Sequence, residues 1–157
     1  MIRIRSANIK DADTVVDMVI KLLTELTGGT RAIDKESLLN VCLEQLEKKI
    51  MYTPFLALSE TNQCVGMITV AESFALHSGG RFGIIQEFYV SPEHRSSKIG
   101  QQLLTTVVEY GKKNQWRRIE VGAPNPLTWE RTVSFYKREG FTEIGPRLKL
   151  ILDEGNS

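Results

Sequence analysis

The spacing of apolar residues changes from segment to segment along the 157-residue chain, and each change marks an element. Ile2–Arg5 alternates apolar and basic residues and predicts a short strand. From Lys10 to Thr27, Val15, Val19, Leu22 and Leu26 are spaced four, three and four apart. That is one face of an amphipathic helix, broadened by Val16 and Leu23 and stopped by Gly28-Gly29. Leu39, Leu43, Leu46 and Ile50 repeat the spacing in a second helix, with Asp34 as its expected N-cap. After Pro54 the pattern turns to strands. Phe55–Ser59 and Cys64–Phe74 are rich in Val, Ile, Phe and Thr and flank the polar turn Glu60–Gln63, which predicts an antiparallel hairpin. A loop at His77–Arg81 leads into a long strand, Phe82–Ser91, ended by Pro92.

Ile99, Leu103, Val107 and Tyr110 then predict a helix running to about Asn114. Arg117–Ala123 alternates, with Ile119, Val121 and Ala123 expected inward. Asn125-Pro126 has the form of an N-cap followed by proline at the first helical position. The helix it would open carries Trp129, Val133 and Tyr136 on one face and closes at Gly140, suited to a left-handed cap. Phe141–Ile144 and Arg147–Leu152, joined through Gly145-Pro146, complete the pattern as two strands. The order β-α-α-β-β-β-α-β-α-β-β predicts an α/β (α+β) fold in one domain over residues 1–157, a mixed sheet with helices on both faces.

Composition narrows the function classes. The hydrophobic share of 41% and charged share of 25% are those of a soluble globular chain. Twenty Lys and Arg against 19 Asp and Glu leave a net charge of +1, which gives no electrostatic reason to expect nucleic acid or a membrane surface as partner. No apolar run approaches the roughly 18 residues of a membrane span. The start, MIRIRSANIK, lacks the apolar core of an export signal, and Cys42 and Cys64 read as free thiols. A cytoplasmic protein is expected. His77 and His94 have no acids or cysteines at metal-ligand spacing, so no metal is expected. Lys112-Lys113 and Arg117-Arg118 fall at a helix end and a turn and read as solvated surface.

Chemistry concentrates in Ile84–Leu104, IIQEFYVSPEHRSSKIGQQLL. A strand bearing an acidic residue ends at Ser-Pro, and a basic loop leads directly into a helix. There the amides of Arg95, Ser96, Ser97, Lys98, Ile99, Gly100 and Gln101, with the helix N-terminus, would converge on a phosphate. Arg95 and Lys98 add positive charge beside them.

A second segment, Arg131–Phe141, sharpens the picture. Val90-Ser91-Pro92, Arg95-x-x-x-x-Gly100 and Phe135-Tyr136-x-x-x-Gly140-Phe141 together resemble the GNAT superfamily of acyl-CoA N-acyltransferases, and the element order follows that family over nearly the whole chain. Two positions depart from it. Lys98 stands where the family has its first loop glycine, and Trp129 where it often has Asn.

The resemblance implies a central, mostly antiparallel sheet whose strand ending at Val90 splays from the strand ending at Ala123. Acetyl-CoA would lie in the splay, its pantetheine arm against the main chain of Phe88, Tyr89 and Val90 and its pyrophosphate on the loop amides. It further implies Tyr136 as general acid for the leaving thiolate and the Val90 amide as donor to the thioester oxygen. Glu87 is the candidate general base, because an ammonium acceptor must lose a proton before it attacks. Alternation along the strand puts Ile85, Glu87 and Tyr89 on one face. An ion pair with Arg5 or Arg3 is the competing reason for that carboxylate, and Glu72 is a second candidate base. The function so implied is transfer of an acetyl group to a small-molecule or peptide primary amine by direct attack in a ternary complex. A longer acyl-CoA as donor and a non-catalytic CoA-sensing module are the rival readings. A homodimer is implied by the family alone.

Overall fold

The structure, a computed structural model, describes residues 1–29, 32–49, 51–123 and 129–153. Ile50 and the expected cap Asn125-Pro126 lie outside the described residues. The chain forms two compact units, Met1–Val121 and a second that begins at Gly122.

In the first unit, β1 (Arg3–Ser6) leads through a short 3-10 turn, Ile9–Asp11, into α1 (Ala12–Thr27). Asn8 and Asp11 cap that turn reciprocally. Asn8 Oδ1 accepts from the Lys10 amide at 2.9 Å, and Asp11 Oδ2 accepts from the Asn8 amide at 2.8 Å. Arg5 closes on the same carboxylate with two bonds of 2.7 and 3.0 Å, tying β1 to the start of α1. In α2 (Lys35–Lys48), Asp34 is the N-cap as expected, accepting from the Ser37 amide at 3.2 Å.

The sheet has five strands in sequential order: β1, β2 (Tyr52–Leu58), β3 (Cys64–Ala75), β4 (Gly80–Val90) and β5 (Ile119–Val121). The first four are antiparallel, and β5 joins β4 in parallel after the crossover helix α3 (Ile99–Lys113). Leu56, Met67 and Tyr89, paired across three strands, face Val15, Val16 and Met18 of α1 and Cys42 and Leu46 of α2. The opposite face receives α3. Phe55 meets the Tyr110 ring edge-on, and a Cβ at Gly83 would fall 2.2 Å from the Trp116 ring. Only glycine lets that indole lie flat on the sheet, where Trp116 Nε1 donates to Glu72 Oε1 at 2.7 Å. Helices on both faces of a mixed, mostly antiparallel sheet are as the sequence predicts.

The second unit holds α4 (Glu130–Arg138), with Val133 and Tyr136 buried on the predicted face. Gly140, at φ +101, ends it in a Schellman motif. Its amide donates to the Lys137 carbonyl at 3.1 Å, and the Phe141 amide to that of Tyr136 at 3.0 Å.

Two expectations fail. The Arg117–Ala123 strand shrinks to Ile119–Val121, because only these residues find ladder partners on β4. Phe141–Ile144 and Arg147–Leu152 form no strand among the described residues. Alternation makes a segment competent for pairing, but a strand exists only where a neighbour supplies the ladder. Leu148, Leu150 and Leu152 are instead 96%, 85% and 92% exposed.

Candidate active site

The β4–β5 ladder stops at Ile85–Val121, although β4 itself continues to Val90. From Gln86 to Val90 the edge of β4 away from β3 therefore lies beyond its ladder with β5. Which backbone groups face that edge follows from the other side. The Ser91 amide bonds the Val65 carbonyl at 2.9 Å, so the main chain of residues 91 and 89 turns toward β3. Phe88 and Val90 then direct their main-chain groups away from β3, while the main chain of Tyr89 turns toward it.

Glu87 owes its orientation to a bulge. Thr69 pairs with Glu87, but Val70 pairs with Ile85, so Gln86 is an extra residue on β4. Successive residues of β3 face opposite sides. Ile85 therefore lies on the α3 face and Glu87, with Tyr89, on the α1–α2 face; the uninterrupted alternation expected from sequence breaks here. The carboxylate is not paired with Arg5, which is held by Asp11, nor with Arg3, which bonds Asn62. Instead Glu87 Oε1 accepts from Tyr52 Oη at 2.5 Å and from the Thr69 hydroxyl, and the Glu87 amide donates back to Thr69 Oγ1 at 3.0 Å. Glu72 is on the α3 face, bonded to Trp116.

At the far end of β4, Ser91 and the 3-10 turn Pro92–His94 lead into α3. Its first helical bond runs from the Gln102 amide to the Lys98 carbonyl, 3.1 Å. The amides of Lys98, Ile99, Gly100 and Gln101 precede that bond and have no acceptor among the described residues, as does that of Ser96. Those of Arg95 and Ser97 turn back to Pro92 and His94. Lys98 is left-handed, φ +65 and ψ +17. This geometry is the physical reason a glycine suits that position. The Arg95 side chain is committed elsewhere: Nε donates to the Val90 carbonyl at 2.8 Å, a terminal nitrogen meets Glu25 at 2.5 Å, and the guanidinium lies over the Tyr89 ring. His94 is half-buried in this turn.

In the second unit the Tyr136 ring is gripped edge-on by Phe135 and Phe141, with centroids 5.7 and 5.4 Å away. Burial pushes its hydroxyl up to about 12, so it is protonated throughout the neutral range. Burial likewise raises both thiols, Cys42 and Cys64. No cluster of three or more His, Cys, Asp or Glu suited to a metal ion occurs among the described residues.

Tyr52 and Thr69 escaped the reading of the sequence. The signal for Thr69 was present: it is a polar residue within the apolar run Val65–Val70, and a fully buried hydroxyl needs a partner. Tyr52 carries no such mark, because its partner is 35 residues away across two strands.

A family model for the acetyltransferase (GNAT) domain matches residues 52–143. The chain belongs to that family and is an acyltransferase. It is 29% identical over 140 residues to the aminoalkylphosphonate N-acetyltransferase of Salmonella typhimurium, covering 89% of this chain and 84% of that one. Its fold matches an acetyltransferase from Clostridium acetobutylicum solved with acetyl-CoA, with a TM-score of 0.81 and 24% identity over 97% of both chains. An aminoglycoside acetyltransferase from an uncultured soil sample matches with a TM-score of 0.78 and 15% identity over 98% of this chain and 99% of that one.

Proposed function

We propose that the protein moves the acetyl group of acetyl-CoA to a primary amine by direct attack, both substrates being bound together. The observation that carries this reading is the end of β4 beyond its ladder with β5, which leads directly to the uncapped amides at the start of α3. An extended amide-bearing arm can add to such an edge as a strand does, and a pyrophosphate suits a helix N-terminus. Lys98 adds charge there, whereas Arg95 holds the end of β4 through the Val90 carbonyl.

Acetyl-CoA supplies the acetyl group as a thioester. Glu87 takes a proton from the acceptor ammonium, directly or through water, and the freed nitrogen attacks the thioester carbon. The Val90 amide donates to the oxygen as charge builds on it. The attacking nitrogen gives up its second proton to solvent, the carbon–sulfur bond breaks as Tyr136 gives its proton to the departing thiolate, and solvent returns one to Tyr136 and removes one from Glu87, leaving the neutral amide, free CoA and one released proton. Direct attack is supported by the thiols, since burial disfavours the thiolate that a covalent route requires.

The relative's substrate makes small amines bearing an anionic group the first acceptors to assay. The test is release of free CoA from acetyl-CoA over a panel of aminoalkylphosphonates, amino acids, polyamines and aminoglycosides, with product mass recorded. An acceptor gaining one acetyl group is the expected result. CoA binding without turnover of any amine would instead indicate a sensing module.

A further inference from the structure

We propose that Tyr52 and Thr69 are positioning residues for acetyl transfer, fixing the Glu87 carboxylate through one oxygen and leaving the other for the acceptor. The inference deepens the proposed function and rests on it for the role of Glu87.

The geometry is specific. Tyr52 opens β2, Thr69 sits in mid-β3 and Glu87 follows the bulge in β4, so three adjacent strands each contribute one side chain to one face. Both hydroxyls donate to Glu87 Oε1, while Oε2 has no hydrogen bond among the described residues. Thr69 Oγ1 also accepts from the Glu87 amide, so its single proton is directed at the carboxylate. A threonine hydroxyl bridging the backbone and side chain of one residue fixes both at once. The bulge is what makes this possible, since in an unbulged strand with Gln86 in the ladder the side chain at 87 would point toward α3.

The surroundings leave the carboxylate dependent on these donors. The titratable groups facing it are Tyr52 from β2 and Cys42 from α2; α1 contributes Val15 and Met18 to the face, and β3 contributes uncharged Thr69. No cation among them replaces a lost hydrogen bond. Burial and the neighbouring carboxylate push the Tyr52 hydroxyl up, which keeps it a donor rather than a phenolate.

The experiment uses the full chain with 13C-labelled glutamate carboxyls, following the Glu87 signal against pH in wild type, Tyr52→Phe, Thr69→Val and Thr69→Ser, with Glu87→Gln to assign it. The Glu87 midpoint is expected to move to higher pH in Tyr52→Phe and in Thr69→Val, and to return to the wild-type position in Thr69→Ser. With an acceptor from the panel, the acid limb of kcat/KM should move the same way, and kcat should fall about tenfold or more while KM for acetyl-CoA stays within about twofold. Unchanged midpoints in both Tyr52→Phe and Thr69→Val overturn the proposal, as does loss of kcat in Thr69→Ser equal to that in Thr69→Val. The titration needs no turnover, so shifted midpoints in a protein that acetylates nothing would defeat the proposed function and leave the positioning intact. If one variant fails to fold, the other decides.

Discussion

Phe141 closes the helix that carries Tyr136 and also packs on its ring: the amide of one donates to the carbonyl of the other at 3.0 Å, and the ring centroids are 5.4 Å apart at 63°. The Schellman motif and the aromatic pair are therefore one device. It uses Gly140 to turn the chain back, so that Phe141 reaches over the last turn of α4.

Two substitutions separate its parts. Gly140→Ala places a side chain at φ +101 and should cost about 1 kcal/mol or more. Phe141→Leu keeps the apolar contact but loses the edge-on pair, for which about 0.5–1.5 kcal/mol is expected. Thermal unfolding measures both. Acetyl transfer should fall more steeply in Phe141→Ala than in Phe141→Leu if the ring's placement matters to the rate.

Tyr136→Phe should lower kcat about a hundredfold with little change in acetyl-CoA affinity. Because burial holds the wild-type hydroxyl at about 12, no alkaline loss of kcat below about pH 11 should arise from this residue. A wild-type fall in rate near pH 8 or 9 that vanishes in Tyr136→Phe would contradict the assignment.

Lys98 stores strain of about 1–2 kcal/mol in its left-handed conformation. Lys98→Gly should raise the unfolding midpoint by a few degrees. The same change removes a charge beside the uncapped amides, so acetyl-CoA binding should weaken and become less sensitive to salt. Equal salt dependence in both proteins would place Lys98 away from the phosphates.

The Arg5–Asp11 pair predicts a stability change with a definite sign. Its side chains are 39% and 14% exposed, and the Arg5 hydrogen bonds hold the Asp11 carboxyl below its ordinary value. A lowered carboxyl pKa stabilises the fold above the unfolded value, near 4, and that contribution disappears as pH falls through the folded value. Asp11→Asn should therefore cost about 1 kcal/mol at pH 7 and progressively less below pH 4. Denaturant melts at several pH values check it.

Where the fold was legible, the signal was local. Val15, Val19 and Leu22, or Leu103 and Val107, declare their helices by spacing alone, and Asp34 and Gly140 mark ends that side-chain and backbone geometry impose. The run of amides at the start of α3 was legible as a feature because it comes from one continuous segment. Glu87 stands out in the sequence by type, but its face does not, since a single inserted residue in β4 reverses direction without altering the hydrophobic pattern. Tyr52 and Thr69 reach Glu87 only through the register of three strands, which no residue of the sequence encodes by itself. The failure at Phe141–Leu152 is of the same kind: pairing is a property of two segments.

The most direct test of the account is thermal unfolding with acetyl-CoA, using desulfo-CoA and ATP as comparators. At about a hundred times its dissociation constant a ligand stabilises by roughly 2.7 kcal/mol. The end of β4 beyond its ladder with β5 and the amides of α3 together predict a clear rise with both CoA compounds, one that ATP does not reproduce. No rise at millimolar acetyl-CoA, or an equal rise with ATP, would contradict the site as described.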